Sequence, residues 1–285
     1  MNNPKHTDLF AQEMQRRGYA RNTITNYLAN IQVFFKFFEK KEHPLHINEQ
    51  DIKNYLSYFK EPNTQRSHHG AIKLYYSICL GQKDKFKYIP YCRKSNKLPI
   101  VLSVGEIQRM FDVCENLKHR TILALLYSCS LRSSELINLK WTDIDRSRMI
   151  INIRQAKGRK DRQVGLNEKL IEILTAYYKQ FKPVVYVLNG IPLSDGAGGG
   201  VKQYSKESVL QVIKQLAAKA GIENKRVYTH LMRHCSATHM LEGGIDLNLI
   251  QRILGHKSVK TTAIYAHISH NLISRIQSPL QAITL

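Results

Sequence analysis

Cysteine is scarce in this chain and poorly placed for pairing. The five residues, Cys79, Cys92, Cys114, Cys129 and Cys235, are odd in number, and no two stand at Cys-x-x-Cys spacing. That argues against a disulfide framework and against a thiolate zinc site, and fits reduced thiols in a cytoplasmic protein. Proline is also thin, eight in 285 residues, against 43% hydrophobic residues. Such a composition describes a packed chain and not a disordered one. No long apolar run occurs and the first six residues are polar, so neither a membrane span nor a signal peptide is expected. Acidic residues are the minority charge, 22 against 43 Lys and Arg. They do not cluster at metal-ligand spacing, so no metal and no other cofactor is expected.

What is present in excess is positive charge. The net formal charge is +21 with a pI near 9.8. It is spread along the chain: residues 1–97 hold 17 Lys and Arg against 8 Asp and Glu, and the remainder 26 against 14. A surplus of this size points to a polyanionic partner, because each neutralised phosphate releases a counterion. Two basic halves suit a clamp that closes on double-stranded DNA from two sides. A generally basic surface without a specific ligand is the bland alternative.

The first 90 residues read as helices. Ile24, Tyr27, Leu28, Ile31, Phe34, Phe35 and Phe38 recur at helical spacing within 21–41, with Asn22 and Thr23 as cap candidates. Residues 51–59 and 64–79 read as two more helices. The charged, proline-containing stretch 91–100 is the expected linker. Ser103 and Glu106 then form a capping box ahead of a helix over 107–116, which marks a new domain. A buried helix over 121–128 and another over 134–139 follow, then a turn at 143–146. Residues 149–153 and 162–166 read as strands of a β-hairpin around the polar turn at Lys157, and 184–187 as a third strand. Residues 196–200 read as a loop. Ser205 precedes a helix to Lys219 that Gly221 stops. The expected architecture is mainly α with a small antiparallel β-sheet, in two domains, 1–90 and 101–285.

Beyond residue 130 six residues supply a phosphate-binding, acid/base and nucleophile set. They are Arg132 in Ser-Leu-Arg-Ser-Ser-Glu-Leu, Lys157 in Ala-Lys-Gly-Arg-Lys-Asp-Arg, His230 and Arg233 in His-Leu-Met-Arg-His, His256 in Leu-Gly-His-Lys-Ser, and Tyr265 in Thr-Thr-Ala-Ile-Tyr-Ala-His. A tyrosine phenol can store a phosphodiester bond as phosphotyrosine. It must lose a proton that is bound up to about pH 10 in a free tyrosine, to His230 or a nearby polar group. Two arginines offer planar donor forks to the phosphate oxygens. No piece is telling alone. The chain has fifteen tyrosines, Arg132 with Glu135 reads equally as an i,i+3 ion pair, Lys157 as a solvated hairpin lysine, and Leu-Gly-His as a helix stop. The order and the gaps of three, 23 and nine residues from His230 through Arg233 and His256 to Tyr265 are what join them.

With their flanking sequence, these six resemble the tyrosine recombinase (phage integrase) family, most of all in size and layout its compact Xer-like and integron-type members. The resemblance is strong over 98–280 and loose over 7–90. It implies a helical core-binding domain and a catalytic domain gripping duplex DNA in a C-shaped clamp. The implied reaction is metal-independent strand cleavage through a 3′-phosphotyrosyl link at Tyr265, with strand exchange between two sites through a Holliday junction. It further implies that Arg132 and Arg233 hold the scissile phosphate and that His256 assists there. His230 would be the general acid/base, Lys157 the general acid, and Glu135 would orient the site. Lys160, on the same turn as Lys157, is an alternative proton donor. Two residues depart from the family's pattern, Ser130 where a glycine is usual and Met232 where a leucine is usual. Both look conservative in shape. The apolar tail 271–285 would dock on a neighbouring protomer in a homotetramer, or pack on its own domain. A partner recombinase fits the same assembly. A type IB topoisomerase and a silent DNA-binding protein on the same fold are the rival readings.

Overall fold

The computed structural model describes residues 4–93, 100–154, 161–190 and 203–268. The chain divides into two compact units, residues 1–97 and 98–285. The first holds α1 (Pro4–Arg16), α2 (Arg21–Phe37), α3 (Glu49–Ser57) and α4 (Pro62–Cys79). Its core is aromatic: Phe34 meets Tyr55 edge-to-face at 5.1 Å and Phe10 meets Tyr75 at 5.6 Å, geometries that suit the ring quadrupoles. The buried phenols find acceptors, Tyr76 donating to the Pro44 carbonyl at 2.6 Å and Tyr55 pairing with His68 Nδ1 at 2.9 Å. Asn48 and Asp51 cap α3 reciprocally. The start of α2 differs from expectation. Ala20 stands at its N-cap without a side-chain bond, and Asn22 and Thr23 lie inside the helix.

The second unit runs α5 (Val104–Asp112), α6 (Leu117–Ser128), α7 (Ser133–Asn138), β1 (Ile144–Asp145), β2 (Ile150–Ile153), β3 (Arg162–Gly165), α8 (Glu168–Phe181), α9 (Lys206–Lys219), α10 (Thr229–Glu242), α11 (Leu247–Leu254), α12 (Val259–Thr262) and α13 (Ile264–Ile268). The expected class, mainly helical with a small antiparallel sheet, is what forms. The Ser103–Glu106 capping box is present. Helix α6 starts four residues before its expected position because the Asn116 side chain caps it by accepting from the His119 amide. Residues Thr121 to Leu126 are all buried, so α6 runs through the core beyond its polar first turn.

The sheet has order β1-β2-β3, antiparallel throughout, with Ile150 opposite Gly165 and Ile153 opposite Arg162. Two expectations fail here. Residues 144–145 are not a plain turn but a strand, too short to leave a periodic pattern. Residues 184–187 are not a strand of this sheet: Tyr186 makes one isolated bridge to Lys140, and Val184 is 77% exposed. Apolar β-branched residues there reflect local packing, since Val187 is buried while Val184 is not. Residues 155–160 at the hairpin tip, the loop at 196–200 and the tail at 271–285 lie outside the described residues.

Candidate active site

Side-chain alternation in β3 is the first element of the site. Arg162 and Val164 face inward while Gln163 and Gly165 are exposed, the period-2 consequence of strand geometry. An arginine is thereby pushed into the protein, 8% exposed. Its Nη1 and Nη2 donate to the two oxygens of Glu135, each at 2.7 Å, and its Nε donates to the Ile253 carbonyl at 2.7 Å. Glu135 stands in the first turn of α7, where it also accepts from the Arg132 amide at 2.8 Å and from Arg132 Nη1 at 2.6 Å. The i,i+3 ion pair is therefore real, and it is half of a larger arrangement. Burial alone would raise the Glu135 pKa; the hydrogen bonds and charge of Arg162, then the contacts from Arg132, outweigh it and hold the carboxyl at about 2.

The C-terminal end of α11 is the second element. Asp246 caps the start of that helix, accepting from the Asn248 and Leu249 amides. Gly255 ends it in the left-handed conformation, φ +62°, and His256 N–H returns to the Gln251 carbonyl at 3.1 Å. This is a Schellman-type stop. The last carbonyls, which no helical amide satisfies, point at three guanidinium groups. Ile253 accepts from Arg162, and Leu254 accepts from both Arg132 Nη2 (3.5 Å) and Arg233 Nη2. Cations at a helix C-terminus also meet the negative end of its dipole. Leu-Gly-His is thus a helix stop and, for the same reason, the device that turns His256 toward the arginines. Its Nδ1 pairs with Thr262 Oγ1 at 3.0 Å.

Helix α10 is the third element, and it brings His230, Arg233 and His234. Arg233 is completely buried. Its Nη1 donates to the Ser130 carbonyl at 2.8 Å, and its Nε has no hydrogen-bond partner among the described residues. Burial, then the nearby Arg132 and Arg162, press its pKa down to about 9, which still leaves the group charged at neutral pH. Ser130 proves less conservative than its size suggests. It adopts φ +50°, a left-handed conformation that favours glycine, and its hydroxyl pairs with Ser236 at 2.7 Å. A side chain there costs about 1 kcal/mol of backbone strain, offset by that hydrogen bond.

Tyr265, on α13, is 1% exposed. Its hydroxyl lies 3.1 Å from His234 Nδ1. Burial raises the phenol pKa, while the Arg233 and Arg132 charges pull it down. His230 and His256 are pushed down to about 4, by desolvation first and then by neighbours that include Arg233, Arg132 and His234. His230 is nonetheless exposed to solvent. Arg132, Glu135, His230, Arg233, His256 and Tyr265 are thus brought together. Lys157 and its alternative Lys160 lie outside the described residues. Sequence reasoning passed over Arg162, His234 and Thr262. The signal for Arg162 was the inward position in a strand with alternating burial; the signal for His234 was its place four residues after His230.

Chemically, one carboxylate set against three guanidinium groups leaves uncompensated positive charge around Leu254 and Gly255. Beside it sit a tyrosine and three neutral imidazoles, those of His230, His234 and His256. Among the described residues no group of His, Cys, Asp or Glu is arranged to hold a metal ion, and no helix is long and apolar enough to cross a membrane.

Comparison with known proteins places the chain in a family. Residues 101–271 match the phage integrase family, and residues 7–85 match the phage integrase N-terminal SAM-like domain. The chain belongs to the phage integrase family. This integrase-family chain is 34% identical to protein y4qK of Sinorhizobium fredii over 95% of its own length and 87% of that protein's. It is 28% identical to the tyrosine recombinase XerD of Rickettsia bellii, covering 92% and 93% of the two chains. Among solved structures, the XerH site-specific recombinase bound to a palindromic difH substrate superposes with a TM-score of 0.75 at 22% identity, covering 94% of this chain and 83% of that one. At that identity the likeness speaks for the fold.

Proposed function

We propose that this member of the phage integrase family is a site-specific DNA recombinase that cleaves and rejoins strands through Tyr265. The Tyr265 oxygen attacks the scissile phosphorus, the bond to the 5′ oxygen breaks, and the strand is held as a 3′-phosphotyrosine while the 5′-hydroxyl leaves with a proton. Reversal with a different 5′-hydroxyl rejoins the strand, so the bond energy is conserved. Arg132 and Arg233 hold the nonbridging oxygens, His256 adds a hydrogen bond, and His230 serves as acid/base at the phosphate. Lys157, or Lys160 on the same turn, protonates the leaving oxygen. Glu135 orients Arg132 and shares the load with Arg162. No metal is called for, because fixed guanidinium groups supply the electrostatic stabilisation of the pentacoordinate phosphate.

The observation that carries this reading is the uncompensated pair of arginines on the Leu254 carbonyl, Arg233 buried and Arg132 partly exposed, with a buried tyrosine alongside. Tyr265 also packs with Leu241, Ile250 and Leu254, but its hydroxyl is turned to His234 beside the arginines. The N-terminal SAM-like unit and the basic character of both units support double-stranded DNA as the substrate. Four copies, docked through the 271–285 tail and with or without a partner recombinase, would pair two sites in the bacterial cytoplasm and exchange strands through a Holliday junction.

The test uses nicked suicide duplexes cut from DNA flanking the gene, without metal, with wild type and Tyr265→Phe. We expect an SDS-resistant protein–DNA adduct from wild type alone and equal DNA binding by both. An adduct or strand exchange from Tyr265→Phe would overturn the nucleophile assignment. Relaxation of supercoils by a monomer would instead favour a topoisomerase.

A further inference from the structure

We propose that His234, the residue after the second site arginine, is the base that takes the proton from Tyr265. This rests on Tyr265 being the nucleophile. The geometry is direct: His234 Nδ1 lies 3.1 Å from the Tyr265 hydroxyl, with the two rings 5.7 Å apart and tilted by 50°. No hydrogen bond joins His230 to that hydroxyl among the described residues. His230 meets His234 edge-on at 4.7 Å, one turn back along α10, and remains open to solvent. His256 is engaged through Nδ1 by Thr262. Of the two histidines of the sequence motif, His256 is thus engaged by Thr262 and His230 is exposed without a bond to the phenol, and the third, unassigned one faces the phenol.

The protonation states agree. A buried phenol keeps its proton and is best used as a donor, so the imidazole accepts at Nδ1 and carries its own proton on Nε2. Burial and then the Arg233 charge lower the His234 pKa, so the ring is neutral and able to accept near pH 7. The ionisable groups facing it are His230 and Arg233 on its own helix, Tyr265 on α13, and His256 after α11. None is a carboxylate, so His234 is not held as a cation before the reaction. As the tyrosine oxygen bonds to phosphorus, its proton passes to His234 Nδ1. The electron pair of the breaking P–O bond stays on the 5′ oxygen, which takes a proton from the separate acid. In the reverse step His234 returns its proton to the departing phenolate. The charge gained by His234 is created beside a phosphate whose own negative charge compensates it.

The experiment separates the two ends of the reaction. Single-turnover cleavage of a suicide duplex is measured for wild type, His234→Ala and His234→Gln, each on an ordinary substrate and on one with sulfur in place of the bridging 5′ oxygen. A thiolate leaves without a proton, so sulfur relieves the loss of a general acid and not the loss of a general base. We expect His234→Ala to bind DNA as wild type does and to cleave ~10²–10⁴-fold more slowly, the usual span for a lost acid/base group, on both substrates. We expect His234→Gln, which keeps a hydrogen bond to the phenol but cannot hold its proton, to be slow as well. The wild-type rate should fall on acidification, with the limb displaced to the acid side of the ordinary histidine value of about 6.5 because burial and Arg233 lower the His234 pKa, and the variants should lack that limb. Near-normal cleavage by His234→Ala, restoration by sulfur, or near-normal cleavage by His234→Gln would each overturn the proposal. Absence of any wild-type adduct would count against the nucleophile itself, a result distinct from these.

Discussion

At the scale of single residues, Arg162 is the position whose loss should be most revealing. It supplies two of the four hydrogen bonds to a buried carboxylate and also ties β3 to α11. Arg162→Ala leaves Glu135 with Arg132 alone and should cost about 3–5 kcal/mol, the range for breaking a buried ion pair from one side. Arg162→Lys should recover little, because an ammonium cannot bond both oxygens and the Ile253 carbonyl at once. Urea denaturation of the three proteins checks this; an Arg162→Ala protein as stable as wild type would refute it. The pH dependence follows from the same groups. A histidine whose folded pKa is lowered favours folding in its neutral form. The contributions of His230 and His256 are therefore present above about pH 6.5 and are lost as pH falls toward the folded value of about 4. Glu135, with its pKa lowered to about 2, contributes fully above the usual glutamate range and loses that contribution only as pH falls further. Stability should thus decline first between about pH 6.5 and 4.5, before the carboxylate matters. His256→Gln should flatten that decline in denaturation midpoints measured across the interval.

At the scale of elements, the turn after α11 couples a strand arginine to a helix end. A Cβ on Gly255 would stand 2.9 Å from Arg162 Cδ, and the residue's φ is +62°. Gly255→Ala should therefore cost about 1–2 kcal/mol from the left-handed backbone alone, and displace Arg162 besides. The readout is a lowered Tm together with slower adduct formation. Asp246→Ala, at the other end of the same helix, removes a cap that costs about 1 kcal/mol. It should lower Tm while leaving adduct formation per folded molecule nearly unchanged. Equal loss of cleavage in the two variants would mean that α11 matters only as a packed helix and not through its C-terminal turn.

For the whole molecule, charge is the property that both units share. Affinity for duplex DNA should fall log-linearly with salt, with a slope of about 0.9 per phosphate neutralised. Residues 1–97 have their own aromatic core and carry 17 Lys and Arg. A fragment of residues 98–285 should therefore bind more weakly than the full chain and with a shallower salt slope. Equal slopes in fluorescence anisotropy titrations would show that the first unit adds no phosphate contacts.

The sequence by itself determined the helical class of both units, the capping box at Ser103 and the pairing of β2 with β3, and it named five candidate residues, Arg132, His230, Arg233, His256 and Tyr265, that lie near one another in the fold. These are local: periodicity, cap residues and motif order are properties of short stretches. The failures at 144–145 and 184–187 are local signals too weak to survive tertiary pairing, a strand of two residues in one case and a valine-rich loop in the other. Only the tertiary structure decided how the arginines are held. That three guanidinium groups share the end of α11, that Glu135 answers to Arg162 as well as to Arg132, and that His234 and not His230 touches the Tyr265 hydroxyl depend on contacts between residues 21 to 122 positions apart. Burial makes those contacts strong, and burial is set by packing that no short stretch of sequence records.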